Sequence, residues 1–187
     1  MEKAIAQAMD LFQRNGYDGV GVAELSKTIG ITAPSLYSAF GSKRELFERV
    51  LARYVQTQGC WLPAALSEGD SLAASISHLF LRAAEVYSAD PERPGCLVID
   101  GTRNCTDAAA KELTAAMSRA TWGLVRDRIT TAENSLTAAE ADALADYVVV
   151  VLVGLSGSAR DGVGLASLRI SAEIAAAGFV QRLLETS

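Results

Sequence analysis

The chain has 187 residues, half of them hydrophobic and 6% aromatic, with a net charge of −5, which gives it enough apolar surface to bury a core and excludes a disordered or fibrous protein. The longest apolar run, Tyr147 to Leu155, falls well short of the roughly 18 residues that cross a bilayer, and no charged-then-apolar N-terminal segment marks a secretory signal. Three cysteines at irregular spacing, Cys60, Cys96 and Cys105, form no disulfide framework, so a cytoplasmic protein with no membrane partner is expected.

Many Ala and Leu and only four Pro favour helices packed on helices, so the expected class is all-α. Ile5, Ala8, Met9 and Phe12 recur at helical spacing within a first helix over 3–15, which Asn15-Gly16 ends. Val22, Leu25 and Ile29 mark a second helix stopped by Gly30, and only Ile31 separates that stop from Thr32, the expected cap of a short third helix through Phe40. Pro34 is tolerated there because a first turn has no intrahelical acceptor for the N–H it lacks. Ser42-Lys43-Arg44-Glu45 has the capping-box form and opens a fourth helix to about Gln58, with Leu46, Phe47, Val50, Leu51 and Tyr54 as its apolar stripe.

After a linker around Pro63 and Glu68-Gly69-Asp70, a helix is expected over 71–89, broken by the Asp90–Gly95 segment with its two prolines. Cys96 to Asn104 is apolar and of undetermined type. Asp107 is placed to cap a long helix to about Ile129, and Thr137-Ala138-Ala139-Glu140 is a second capping box. The run Val148 to Val151 suits a buried strand by propensity, but it continues the amphipathic spacing of Leu144, Tyr147, Val151 and Leu155 without a turn, so helix is preferred. A last Ala-rich helix covers 165–184, for about nine helices in all.

Residues 22–40 meet the needs of a helix-turn-helix, in which one helix braces a second that presents short side chains to the major groove. Gly30 makes the turn, Ile31 and Leu36 join the two helices, and Ala33, Pro34, Ser35 and Tyr37 are left for the outer face. The net charge counts against nucleic-acid binding, but its distribution does not. Residues 1–58 hold seven basic against six acidic side chains and the remainder ten against sixteen, so the acidity lies in the body.

Gly16-Tyr17, Val22-Ala23-Glu24-Leu25-Ser26 and the stretch Gly30-Ile31-Thr32-Ala33-Pro34-Ser35-Leu36-Tyr37-Ser38-Ala39-Phe40-Gly41-Ser42-Lys43-Arg44-Glu45-Leu46-Phe47 resemble the N-terminal domain of the TetR family. The resemblance covers about the first fifty residues without a gap. It implies a helix-turn-helix DNA-binding domain at 1–45 and a helical effector-binding and dimerisation domain at 46–187. It further implies a ligand-responsive transcriptional regulator, a repressor that binds a palindromic double-stranded operator as a homodimer and is released by a small-molecule effector. Thr32, Ala33, Pro34, Ser35 and Tyr37 would lie on the recognition helix, Tyr37 giving its hydroxyl to a phosphate and Lys43 pairing with another. Val20-Gly21 stand where the family usually has small hydroxyl residues, which puts one cap and one phosphate contact in doubt. The family's short basic arm is also missing before the first helix.

The helices at 140–157 and 165–184 are apolar on more than one face, and Gly154, Gly157, Ala172, Ala175, Ala176 and Gly178 would allow the close approach of a dimer interface. Trp61, His78, Phe80, Tyr87, Cys96, Met117, Trp122 and Tyr147 combine apolar surface with polar handles and are the effector-site candidates. Pro94-Gly95-Cys96-Leu97 resembles a motif of some family branches, and Cys96 at a helix N-terminus would be a reactive thiol, a metal ligand or an inert buried one. No catalytic residue, metal site or cofactor is expected, since nucleophile motifs, phosphate loops and ligand spacings are all lacking. The alternative to a repressor is a helical interaction protein whose helix-turn-helix is vestigial and no longer binds DNA.

Overall fold

The structure is a computed structural model that describes residues 1–133 and 135–186. Among them every regular segment is helical: α1 (Glu2–Asn15), α2 (Val22–Ile29), α3 (Ala33–Phe40), α4 (Lys43–Thr57), α5 (Trp61–Ser67), α6 (Leu72–Ser88), α7 (Leu97–Asp100), α8 (Ala108–Ala132), α9 (Ala138–Arg160) and α10 (Leu165–Thr186). The α7 segment is a single turn, so nine of the described segments are helices of more than one turn, and the all-α expectation holds. The valine run of α9 is helical, but its buried stripe runs through Leu144, Val148, Leu152 and Leu155, while Tyr147 and Val150 are exposed and Val151 is half-buried, so only part of the stripe marked by the sequence spacing faces the core.

The stretch after Gly59, read as a linker, contains α5. Its Pro63 is the third helical residue, where the absent N–H breaks no intrahelical bond. Ser42 caps α4 by accepting from the Glu45 N–H at 3.1 Å, but the Glu45 carboxylate takes the Ser42 hydroxyl rather than its backbone N–H, so the box is half formed. The Thr137 and Glu140 box at the start of α9 is complete.

The chain forms two compact units, residues 1–60 with 96–117, and 61–95 with 118–187. The sequence reading places everything after residue 45 in a second domain. The compact first unit instead keeps all of α4, because Leu46, Phe47, Val50, Leu51 and Tyr54 are buried against Ile5, Phe12, Leu25 and Leu36. It also takes in 96–117, whose Leu97, Cys105 and Ala110 enter the same core. Burial of these side chains, about 1.5–3 kcal/mol for each large aliphatic or aromatic one, is what holds short helices that would not persist alone.

The second unit is built on α6, whose buried stripe Leu72, Ile76, Leu79, Phe80 and Ala83 meets α5, α9 and α10. Arg128 of α8 donates to the Leu66 carbonyl at 3.0 Å and to the Ser75 hydroxyl at 2.9 Å, tying α8 to α5 and α6. In α10, Leu168, Ala172, Ala176, Phe179 and Leu183 are buried, while Ile170, Ile174 and Leu184 face outward. Ala172 and Ala176, expected on an interface, therefore line the unit's own core. Gly154 has open space where a Cβ would stand, and at Gly178 a Cβ would meet the Tyr147 hydroxyl at 3.1 Å.

Candidate nucleic-acid interface

The helix-turn-helix is assembled by local signals. Gly30 ends α2 at φ 79° and ψ 33°, a left-handed conformation that costs glycine nothing, and its N–H returns to the Ser26 carbonyl at 2.9 Å. Thr32 then caps α3, accepting from the Ser35 N–H at 3.3 Å and pairing with the Ser35 hydroxyl at 2.9 Å. Leu36 and Phe40, one turn apart, are buried and fix the helix to the unit's core. Pro34, Ser35, Tyr37 and Ser38 are exposed, Tyr37 to 49%, and Ala33 is half-buried. Thr32, Ala33, Pro34, Ser35 and Tyr37 thus share the outward surface of one short helix and its cap.

Ser38 was not singled out from sequence; its position three residues after Ser35 and four after Pro34, one helical turn along, is the signal that places it beside them. At the other end of the motif, Gly21 gives α2 no side-chain cap and Val20 is fully buried, as the Val20-Gly21 departure leads one to expect.

Lys43 opens α4 half-buried, its ammonium 4.2 Å from the centre of the Tyr17 ring. Burial pushes the Lys43 pKa down, opposed by the negative charge of Asp18 and Asp107. Tyr17 sits in the core beside Phe12 and Phe47, with centroids 6.0 and 5.0 Å away. Its hydroxyl donates to Asp107 at 3.1 Å and its N–H to the Gly101 carbonyl at 2.7 Å. Burial, then the Asp107 bond, pushes the Tyr17 pKa well above the usual phenol range. Asp18 accepts from the Thr106 N–H at 2.7 Å, the Thr106 hydroxyl at 3.0 Å and the Cys105 thiol at 3.2 Å, and the Thr106 N–H chiefly holds its carboxyl below the usual range. Asp107 is likewise held low, first by the Ala110 N–H at the start of α8. Residues 17 and 18 therefore clasp residues 101–107.

The effector candidates are divided between the two units. Cys96 and Met117 pack on the first unit's core, where burial pushes the Cys96 thiol pKa up, the reverse of what a reactive thiolate needs. In the second unit Trp61 and Tyr87 meet edge to face at 6.0 Å, and Phe80 and Tyr147 at 6.5 Å. Trp122 donates to Asp146 at 2.8 Å, and exposed His78 lies 3.9 Å from Glu68. A cavity of about 240 Å³ between α9 and α10 is lined by Glu140, Ala143, Leu144, Tyr147, Gly178, Phe179 and Arg182, and takes only Tyr147 from the candidate set. No group of three metal-ligating side chains occurs among the described residues, and no helix among them is long and apolar enough to cross a membrane.

Residues 4–50 match the family model for bacterial regulatory proteins of the tetR family. The HTH-type transcriptional repressor BdcR of Escherichia coli (strain K12) is 33% identical over 174 residues, which is 93% of this chain and 86% of that protein. The repressor ComR of the same organism is 28% identical, over 89% of this chain and 82% of its own length. Among solved structures, the TetR family regulator CifR, a cysteine mutant complexed with a 26-base-pair operator duplex, superposes with a TM-score of 0.86 at 31% identity, covering 94% of both chains. A likeness that runs through both units, far past the helix-turn-helix itself, establishes that this chain belongs to the TetR family of transcriptional regulators.

Proposed function

We propose that the chain is a repressor that binds a palindromic double-stranded operator as a homodimer and leaves it when a small molecule binds. The observation that carries this is the recognition surface: a capped helix with Pro34, Ser35, Tyr37 and Ser38 outward, followed by Lys43 at the N-terminus of α4. Its likeness to CifR, which was solved on operator duplex, supports the same use of these residues.

On this reading Tyr37 donates to one phosphate, and Lys43 pairs with another, aided by the positive end of α4. With short side chains on α3, base readout rests on close apolar contact, Ala33 and Pro34 against thymine methyls, and on the hydroxyls of Thr32 and Ser35. Two such helices, set about 34–36 Å apart by a two-fold axis, read half-sites one helical turn apart. The exposed apolar stripes of α9 and α10 supply the dimer surface. The effector binds within the helical body and favours a conformation whose helix separation fits DNA poorly. A regulator of this kind works in the cytoplasm and needs no catalytic residue or cofactor.

Replacing Tyr37 and Lys43 together tests the reading. A repressor keeps its fold and its dimer and loses operator binding, whereas a helical interaction protein with a vestigial helix-turn-helix keeps its behaviour unchanged.

A further inference from the structure

We propose that Tyr17 is a positioning residue for operator binding: its ring is a fixed platform that presents the Lys43 ammonium to a DNA phosphate. The inference rests on the reading of Lys43 as a phosphate contact and adds to it the reason the ammonium is held where it is.

A lysine at a helix start ordinarily spreads over many rotamers, and ordering it on a phosphate costs side-chain entropy as well as water. Here the ammonium lies 4.2 Å over the centre of an aromatic face, within the range of a cation–π contact. The face itself cannot swing. Phe12 stacks beside it, Phe47 packs against it at 5.0 Å, and its hydroxyl and backbone N–H are both bonded to the 101–107 segment. The neighbouring Asp18 adds its bonds to Cys105 and Thr106. Lys43 is also half-buried in this position, so part of the cost of meeting a phosphate is met by folding. Because residues 101–107 lead directly into α8, the platform is anchored to the stretch of chain that continues into the second unit.

The probe is a mixed-sequence DNA duplex at low salt, because a phosphate contact does not depend on base sequence. Binding is measured across a salt series for the parent chain, Lys43→Ala, Tyr17→Phe, Tyr17→Leu and the Tyr17→Leu/Lys43→Ala pair. Tyr17→Phe keeps the ring and is expected to bind within about twofold of the parent; Tyr17→Leu removes the face and is expected to weaken binding about fivefold. In the Lys43→Ala background the Leu substitution is expected to change nothing further, since the platform then presents no charge. Equal losses in both backgrounds would show Tyr17 to be a core residue alone and overturn the proposal. Lys43→Ala with unchanged affinity and salt slope would instead remove the phosphate contact on which it rests.

A second measurement needs no variant at position 17 to fold. Ring-current theory places the Lys43 ε-methylene protons upfield in the intact protein, and an unshifted Lys43 resonance would overturn the platform directly.

Discussion

Truncating Ile174 to Ala gives the sharpest reading of the proposed dimer. Ile174 lies on α10 with 68% of its surface exposed in the single chain, one turn after Ile170, which is also exposed, and Val150 and Val153 are exposed on α9. The substitution removes three carbons, worth about 0.8 kcal/mol each when fully buried. If the interface covers the exposed two-thirds of the side chain, the loss is roughly 1.6 kcal/mol per protomer. A two-fold interface counts it twice, about 3 kcal/mol, or a dissociation constant raised by about two orders of magnitude. The fold of the single chain should be little affected, because two-thirds of the side chain is exposed there and Ala is the better helix former. Sedimentation velocity over a dilution series reads the shift, and Leu168→Ala, buried on the same helix, serves as the contrast that destabilises the unit itself. A dissociation constant for Ile174→Ala within threefold of the parent would refute the assignment of this face.

Leu36→Ala should cost about 2–5 kcal/mol in chemical denaturation, since Leu36 is fully buried where α3 meets the core. Thr32→Ala should cost about 1 kcal/mol by loss of the cap on the Ser35 N–H, seen as a lower unfolding midpoint. Asp18 and Asp107 titrate below their ordinary range. The stability they contribute is therefore complete above the unfolded carboxylate value, near 3.9, and is lost as pH falls through their native values. Acid denaturation curves of Asp18→Asn and Asp107→Asn should be flatter below about pH 4 than the parent's, and curves that coincide would contradict the clasp.

The helix-turn-helix was legible because its determinants are local. Gly30, Thr32 and Ser42 sit where the chain must stop and start, Val22, Leu25 and Ile29 keep helical spacing within α2, and Leu36 and Phe40 lie one turn apart within α3. The packing of 96–117 into the first unit was not legible, since it depends on bonds such as Tyr17 to Asp107 and Asp18 to Thr106, which join positions 90 and 88 residues apart. No periodicity reports a pairing of that range. The effector candidates were chosen by residue type alone: Phe80 and Tyr87 are buried in the core of their own unit, and composition cannot distinguish an aromatic that packs from one that lines a cavity. Ala172 and Ala176 show the same limit, small enough for an interface and used instead inside α10's own contacts.

If the chain reads DNA as a two-fold dimer, selection from random duplexes at low salt, repeated across a salt series, should yield a palindromic winner whose affinity falls steeply with salt, with the slope lowered by about 0.9 for each Lys43 removed. No enrichment at any salt concentration, from a chain shown to be folded and dimeric, would contradict it.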